Sequence, residues 1–208
     1  MKQIISKILP KWICASEVFG LEQEVASAEE ALLVASSIPE RRAEFLTGRK
    51  YAHVALSDLG VPFKPILRGP NRKPLWPEGV VGSITHCGDY ITAAVARSNR
   101  DRWIGIDAES NEPIPEGIID FIASPSEIKL AAGAMKKISN WDRLIFSAKE
   151  RIYKASCLRH QIQLDVLYLS LKFFQNHLPS ISVSFLLILI GIEAQGRCFL
   201  VATSSVLT

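Results

Sequence analysis

Three apolar runs follow one another in the middle of the chain with little between them: Val80–Thr85, Ile91–Arg97 and Trp103–Ala108. Turn-forming Gly88-Asp89 and Ser98-Asn99-Arg100-Asp101 separate them, so they read as strands of a small antiparallel sheet. A helix pattern lies on either side. Glu40–Leu59 puts Phe45, Ala52, Leu56 and Leu59 on one stripe, and Gly60 stops it. Trp141–Cys157 is entered through Ser139 or Asn140, carries Asp142 in its first turn, and supplies Leu144, Ile145, Ile152 and Ala155 as apolar positions. A further helix capped by Ser124 or Ser126 is expected to run toward Ile138, and strands are predicted at Val166–Phe174, Ile181–Ile192 and Cys198–Val206. The order helix, strands, helices, strands predicts an α+β fold. It is expected as two similar lobes, residues 1–110 and 111–208, each a small antiparallel sheet packed with a long helix.

Cations gather in two places. Val61–Gly79 is rich in proline and glycine and carries Lys64, Arg68, Arg72 and Lys73, a composition that holds charges in place without regular secondary structure. The helix before it has Arg42, Arg49 and His53, with Arg41 adjacent, as a basic edge opposite its apolar stripe. As a total, 24 Lys+Arg against 21 Asp+Glu leaves only +3, so any affinity for phosphate depends on where the cations sit, and no nucleic-acid partner is expected. With 48% apolar residues and 22% charged, disordered, collagen-like and disulfide-framework classes are excluded.

Lys7, Pro10 and Lys11 interrupt the apolar N-terminus before a signal-peptide core forms. The uncharged stretch Leu178–Ile192 contains Pro179 and Gly191 and is shorter than the ~20 residues that span a bilayer, so it reads as a buried strand and no membrane partner is expected. Cys14, Cys87, Cys157 and Cys198 form no CxxC pair, and reduced thiols in a cytoplasmic protein are expected.

The chemistry-bearing residues lie around these elements. Asp107 and Glu109 are two apart, so on an extended chain both carboxylates point to one side; there they form either a site for a hard divalent cation such as Mg²⁺ or a pair of solvated acids. Glu150 and Lys154 are four apart and share a helix face, with Lys149 at its edge; the alternative is a surface ion pair. Ser83, Thr85 and the loop at His86 fall on alternating positions of their strand. His86 and Cys87 are neighbours that point apart, which argues against a Cys-His nucleophile.

Three blocks, VGSITHC (81–87), GIDAE (105–109) and FSAKERIYKA (146–155), stand in the order and spacing of the 4'-phosphopantetheinyl transferases of the enterobactin-synthetase and surfactin type, and RRAEFLTGRKYAHVALSDLGVPFKPILRGPNRKPLWPEGVVGS (41–83) resembles the same family upstream. The resemblance covers about residues 40–157. It implies transfer of the phosphopantetheine arm of coenzyme A to a serine of an acyl or peptidyl carrier protein, with Mg²⁺ (Mn²⁺ has the same ligand chemistry) and release of adenosine 3',5'-bisphosphate. By the same resemblance Asp107, Glu109 and Glu150 hold the metal, and Glu150, Lys154 and Asp107 carry the catalysis. Arg41, Arg49, Arg68, Lys73, Thr85, His86, Asp107, Lys149 and Lys154 contact coenzyme A, and the protein is a monomer. Two departures stand out: Arg151 replaces a small residue common in relatives and is expected near the carrier's approach, and Ala108 between the two acids offers only backbone atoms. Two other classes remain open at this stage. One is a non-catalytic module for nucleotide or acidic partners, which leaves the three acids without a task; the other is a metal-dependent pyrophosphate hydrolase.

Overall fold

A computed structural model describes residues 5–24, 27–98, 102–110, 112–134, 140–160, 185–188 and 197–205. Two three-stranded antiparallel sheets organise them. The first has the order β1 (Cys14–Phe19), β3 (Tyr90–Arg97), β2 (Val80–Cys87). Its centre, β3, is buried from Tyr90 to Ala96, which explains its mostly apolar composition; buried Thr92 is satisfied by donating its Oγ1 to Ser16 O at 2.9 Å. Ala93 and Val95 face helix α3 (Pro39–Asp58) with Ala52, Ala55, Leu56 and Ile66, whereas Ala94 and Ala96 face the opposite way, onto Ile5 of the short α1 (Ile5–Ile8), Leu9, Ile13, Ile104 and Ile106. The β2–β3 hairpin turns through Gly88 at φ 58°, the left-handed first position that a type II′ turn gives to glycine.

The second sheet has the order β4 (Arg102–Ser110), β6 (Arg197–Ser205), β5 (Phe185–Ile188). Ile104 and Ile106 of β4 point into the shared core, so Asp107 and Glu109 point the other way, toward α6 (Trp141–His160). Before α6 come the short α4 (Ile118–Ile122) and α5 (Pro125–Ala134), packed on it through Ala123, Ala131, Ile145 and Ala148. Ser124 caps α5 reciprocally: its Oγ accepts from Glu127 N at 3.3 Å and Glu127 Oε2 accepts from Ser124 N at 2.8 Å, the S-x-x-E capping box.

The two sheets meet along β2 and β4 through side chains. Ser83 Oγ accepts from Ile106 N and Thr85 Oγ1 from Ala108 N, each at 3.2 Å, so hydroxyls of one edge strand satisfy backbone donors of the other. β4 has its ladder partner in β6, Asp107 opposite Leu200 and Glu109 opposite Cys198, so a division by sheets falls between Arg97 and Arg102. Among the other sequence expectations, α3 and α6 fall where the periodicity puts them, the latter running on to His160. The stretch Val166–Phe174 lies outside the described residues, and of Ile181–Ile192 only Phe185–Ile188 lies within them. No described helix is long and apolar enough to cross a membrane. Cys14 carries a free thiol.

Gly82 on β2 is fixed by packing. A Cβ there would lie 2.7 and 2.8 Å from ring atoms of Trp76 and 2.9 Å from Val95 Cγ1. Gly82→Ala is therefore expected to destabilise by about 1–3 kcal/mol through overpacking, read as a lower denaturant midpoint.

Candidate functional site

Asp107 is the centre of the site. It is 5% exposed and accepts three side-chain hydrogen bonds from two directions. From β2, Thr85 Oγ1 donates to its Oδ1 at 3.2 Å, while the same oxygen accepts from Ala108 N. From α6, Ser147 Oγ donates to Oδ2 at 2.8 Å and Lys154 Nζ to Oδ1 at 2.5 Å. Ser147, Glu150 and Lys154 are spaced by three and four, so α6 presents one face to the carboxylate. Glu150 and Glu109 complete the cluster. Burial, with Asp107's negative charge added to it, holds both carboxyls above the usual range, against the downward pull of Lys154 on both and of Arg143 on Glu109.

Arg143, in the first turn of α6, donates from Nη1 to Glu109 Oε2 at 3.3 Å, from Nε to Glu112 O at 3.1 Å and from Nη2 to Pro113 O at 3.0 Å. Beside it, Asp142 Oδ2 accepts from Ile114 N at 2.9 Å.

A second cluster lies beyond Thr85. Arg41 of α3 donates to His86 Nε2 at 3.0 Å and to Glu44 Oε2 at 2.9 Å. A guanidinium cannot accept, so His86 Nε2 is the acceptor and the imidazole is neutral. Burial is the main force pushing this histidine below its usual range; Glu44 and Asp107 oppose it, while Arg41 and Lys154 reinforce it. The list of charges that His86 feels joins the two clusters: Asp107 and Lys154 from one, Arg41 and Glu44 from the other.

Arg49 is 4% exposed, with its guanidinium 4.7 Å from the Phe45 ring centroid, and Arg68 lies 5.3 Å from the same ring. Burial brings Arg49 down to about 10, Glu30 opposes that and Arg68 adds to it, so the group stays a cation at neutral pH. Glu30 of α2 (Ala28–Leu32) is fully buried; its Oε1 accepts from Ile66 N at 2.7 Å and lies 2.8 Å from His53 Nε2. The basic edge expected on α3 is thus covered at Arg49 and His53 by a buried acid of the preceding helix. Ile66 lies two residues before Arg68, so the same acid tethers the proline-rich loop. That loop folds back on itself through Gly69 N to Lys73 O at 2.8 Å and Leu75 N to Leu67 O at 2.9 Å.

Most predicted site residues converge: Asp107, Glu109, Glu150, Lys154 and Thr85 in the acidic cluster, Arg41 and His86 next to it, Arg49 and Arg68 around Phe45. Lys73 closes the turn of the proline-rich loop. Lys149 departs from expectation. Its side chain is 2% exposed and its Nζ donates to Glu127 Oε2 at 3.1 Å, which commits it to the α5–α6 contact and turns it from the face that carries Glu150. Arg151 has no described side chain. Sequence reasoning missed Ser147, Arg143, Glu127 and Glu30. Only Ser147 carried a usable signal, its i, i+3, i+7 spacing with Glu150 and Lys154.

Among the described residues no three His, Cys, Asp or Glu side chains stand close enough together to make a finished coordination sphere. The donor set nonetheless suits a hard dication. All three acids offer oxygen, and burial is the main cause that holds Glu109 and Glu150 above the usual carboxylate range, so their ionised forms lack the hydration that a bound dication would replace. Arg41, Arg68 and Lys154 are cations available to a polyanion, with Arg49 buried against Phe45 behind Arg68.

Residues 28–96 match the family model of the 4'-phosphopantetheinyl transferase N-terminal domain, and residues 104–199 match that of the 4'-phosphopantetheinyl transferase superfamily. The chain is 47% identical over 127 residues to 4'-phosphopantetheinyl transferase PptT of Mycobacterium tuberculosis, covering 61% of this chain and 56% of the relative. It is 41% identical over 156 residues to 4'-phosphopantetheinyl transferase Npt of Nocardia iowensis, covering 73% and 68%. It is 37% identical over 132 residues to enterobactin synthase component D of Escherichia coli, covering 62% and 60%. The matches thus span between about half and two thirds of the relatives' lengths.

Proposed function

The chain belongs to the 4'-phosphopantetheinyl transferase superfamily, and on that premise we propose that it moves the 4'-phosphopantetheine arm of coenzyme A onto a serine of an acyl or peptidyl carrier protein. The carriers are those of polyketide, nonribosomal peptide or siderophore assembly. The observation that carries the reading is the Asp107–Lys154 contact, with Glu150 on the same face of α6 and the Arg41–His86 pair next to Thr85: acids for a metal beside cations for phosphates.

In this reading coenzyme A lies between the two sheets, which act as two lobes. Arg41, Arg49 and Arg68 bind its phosphates, with Lys73 and the Thr85-His86 pair at the edge. Asp107, Glu109 and Glu150 hold Mg²⁺ or Mn²⁺, which when bound neutralises charge on the pyrophosphate. Glu150, directly or through one water, takes the serine proton. The serine oxygen bonds to the phosphorus that bears pantetheine, the bond from that phosphorus to the bridging oxygen breaks, and adenosine 3',5'-bisphosphate leaves. Lys154 supports the departing charge. The protein's contribution is placement and charge stabilisation. The elevated carboxyl of Glu150 suits a proton acceptor. Lys149 is left out of the phosphate contacts and serves α6 packing. A cytoplasmic, monomeric enzyme goes with this reading.

Mass spectrometry of a carrier protein incubated with the chain, coenzyme A and Mg²⁺ tests it. A mass gain of one phosphopantetheine is expected. Breakdown of coenzyme A without carrier labelling would show a pyrophosphate hydrolase instead, and neither product would leave a binding module.

A further inference from the structure

Arg143 has no part in the chemistry above, yet it fixes where one of the three acids points. Its fork spends each nitrogen on a different acceptor: Nη1 on Oε2 of Glu109, Nε on the carbonyl of Glu112, Nη2 on the carbonyl of Pro113. Asp142 beside it receives Ile114 N, so the first turn of α6 clips the chain from Glu109 to Ile114 as it leaves β4. Glu109 is the last residue but one of that strand, where fraying would otherwise release its side chain. The two carbonyls pin the planar guanidinium, and the guanidinium pins one carboxylate oxygen. Because Arg143 engages Oε2, Oε1 keeps its lone pairs clear of it.

We propose that Arg143 is a positioning residue that orients Glu109 through Oε2 so that Oε1 faces the cation shared with Asp107 and Glu150, and that it thereby sets the affinity for metal. This rests on the reading of those three acids as a metal site. The opposing effect is a resident cation that competes with the metal for Glu109. The geometry favours orientation, since the carbonyls of Glu112 and Pro113 hold the guanidinium regardless of Glu109 and their dipoles offset part of its charge. Hydrogen-bonded partners of ligating carboxylates commonly contribute about 10–100-fold in metal affinity.

The test is direct Mn²⁺ binding to the purified full chain, measured from the free-Mn²⁺ electron paramagnetic resonance signal, with thermal melting in parallel. Arg143→Gln is expected to weaken Mn²⁺ binding about 10–100-fold. Arg143→Lys, which keeps the charge but loses the fork, should lie in between, and it serves if the Gln variant fails to fold. The affinity for adenosine 3',5'-bisphosphate should stay unchanged in both. Unchanged or tighter Mn²⁺ binding in a folded variant overturns the proposal, and a lowered melting temperature with unchanged Mn²⁺ affinity reduces Arg143 to a structural clip. If the wild type loads carriers without binding Mn²⁺ or needing any divalent cation, the metal reading fails first and this inference with it.

Discussion

Glu150→Gln is expected to cut carrier loading by about 10²–10⁴-fold, the range of a lost general base, while leaving the protein at least as stable as before. The two halves of this expectation have one source. Burial and the adjacent Asp107 carboxylate disfavour the ionised form of Glu150, with Lys154 only partly compensating. An amide of the same shape avoids the cost of burying a charge but cannot take a proton from serine. The elevated carboxyls also set a sign for the metal-free protein. A carboxyl whose folded pKa lies above its unfolded value contributes stability that is fully present below the unfolded value, about 4.3, and is lost as pH rises through the folded one. In the presence of chelator, the wild type should therefore lose stability relative to Glu150→Gln as pH rises through that window. Full loading by a well-folded Glu150→Gln protein would sink the assignment of the base, and a variant less stable at neutral pH would contradict the electrostatics.

Much of this architecture could be read from residues that act locally. α3 and α6 have clear apolar spacing, Gly88-Asp89 announces the hairpin between β2 and β3, and Asp107 and Glu109 share a side because an extended chain alternates. What escaped the sequence depends on distant pairings. β1 is six residues, CASEVF, with no strong alternation; it becomes a strand because the free edge of β3 accepts it some 75 residues later in the chain. β4 follows β3 closely in sequence yet pairs with β6, about 90 residues on, and nothing between Ser98 and Arg102 signals the change of sheet. Charges behaved the same way. Arg49 and His53 look like a solvated edge until α2 brings Glu30 over them, and Lys149 looks like part of the Glu150 face until α5 brings Glu127 to it. One of these misses was avoidable, because residues i and i+1 of a helix point about 100° apart.

Asp107→Ala should have the largest combined effect, since this carboxylate serves structure and chemistry with the same two oxygens. Charge stabilisation worth several kcal/mol is lost with a metal ligand, which corresponds to about 10³-fold or more in transfer rate. The structural cost comes mainly from the hydroxyls. Ser147 is buried and loses its acceptor, at about 1–3 kcal/mol. Thr85 keeps Ala108 N as a donor to it and loses less. Lys154 has a side chain 29% exposed, so it can turn its ammonium to water and adds little. A denaturant midpoint corresponding to about 2–4 kcal/mol of lost stability is expected on this count. Asp107→Asn separates the roles, because its amide oxygen still accepts one of the hydroxyls while the charge is gone. It should recover part of the stability and none of the transfer. Asn at 107 with near wild-type loading would mean that the carboxylate only holds Ser147 and Thr85 in place. Asn as inactive as Ala, but more stable, would mean that its charge is what the reaction uses.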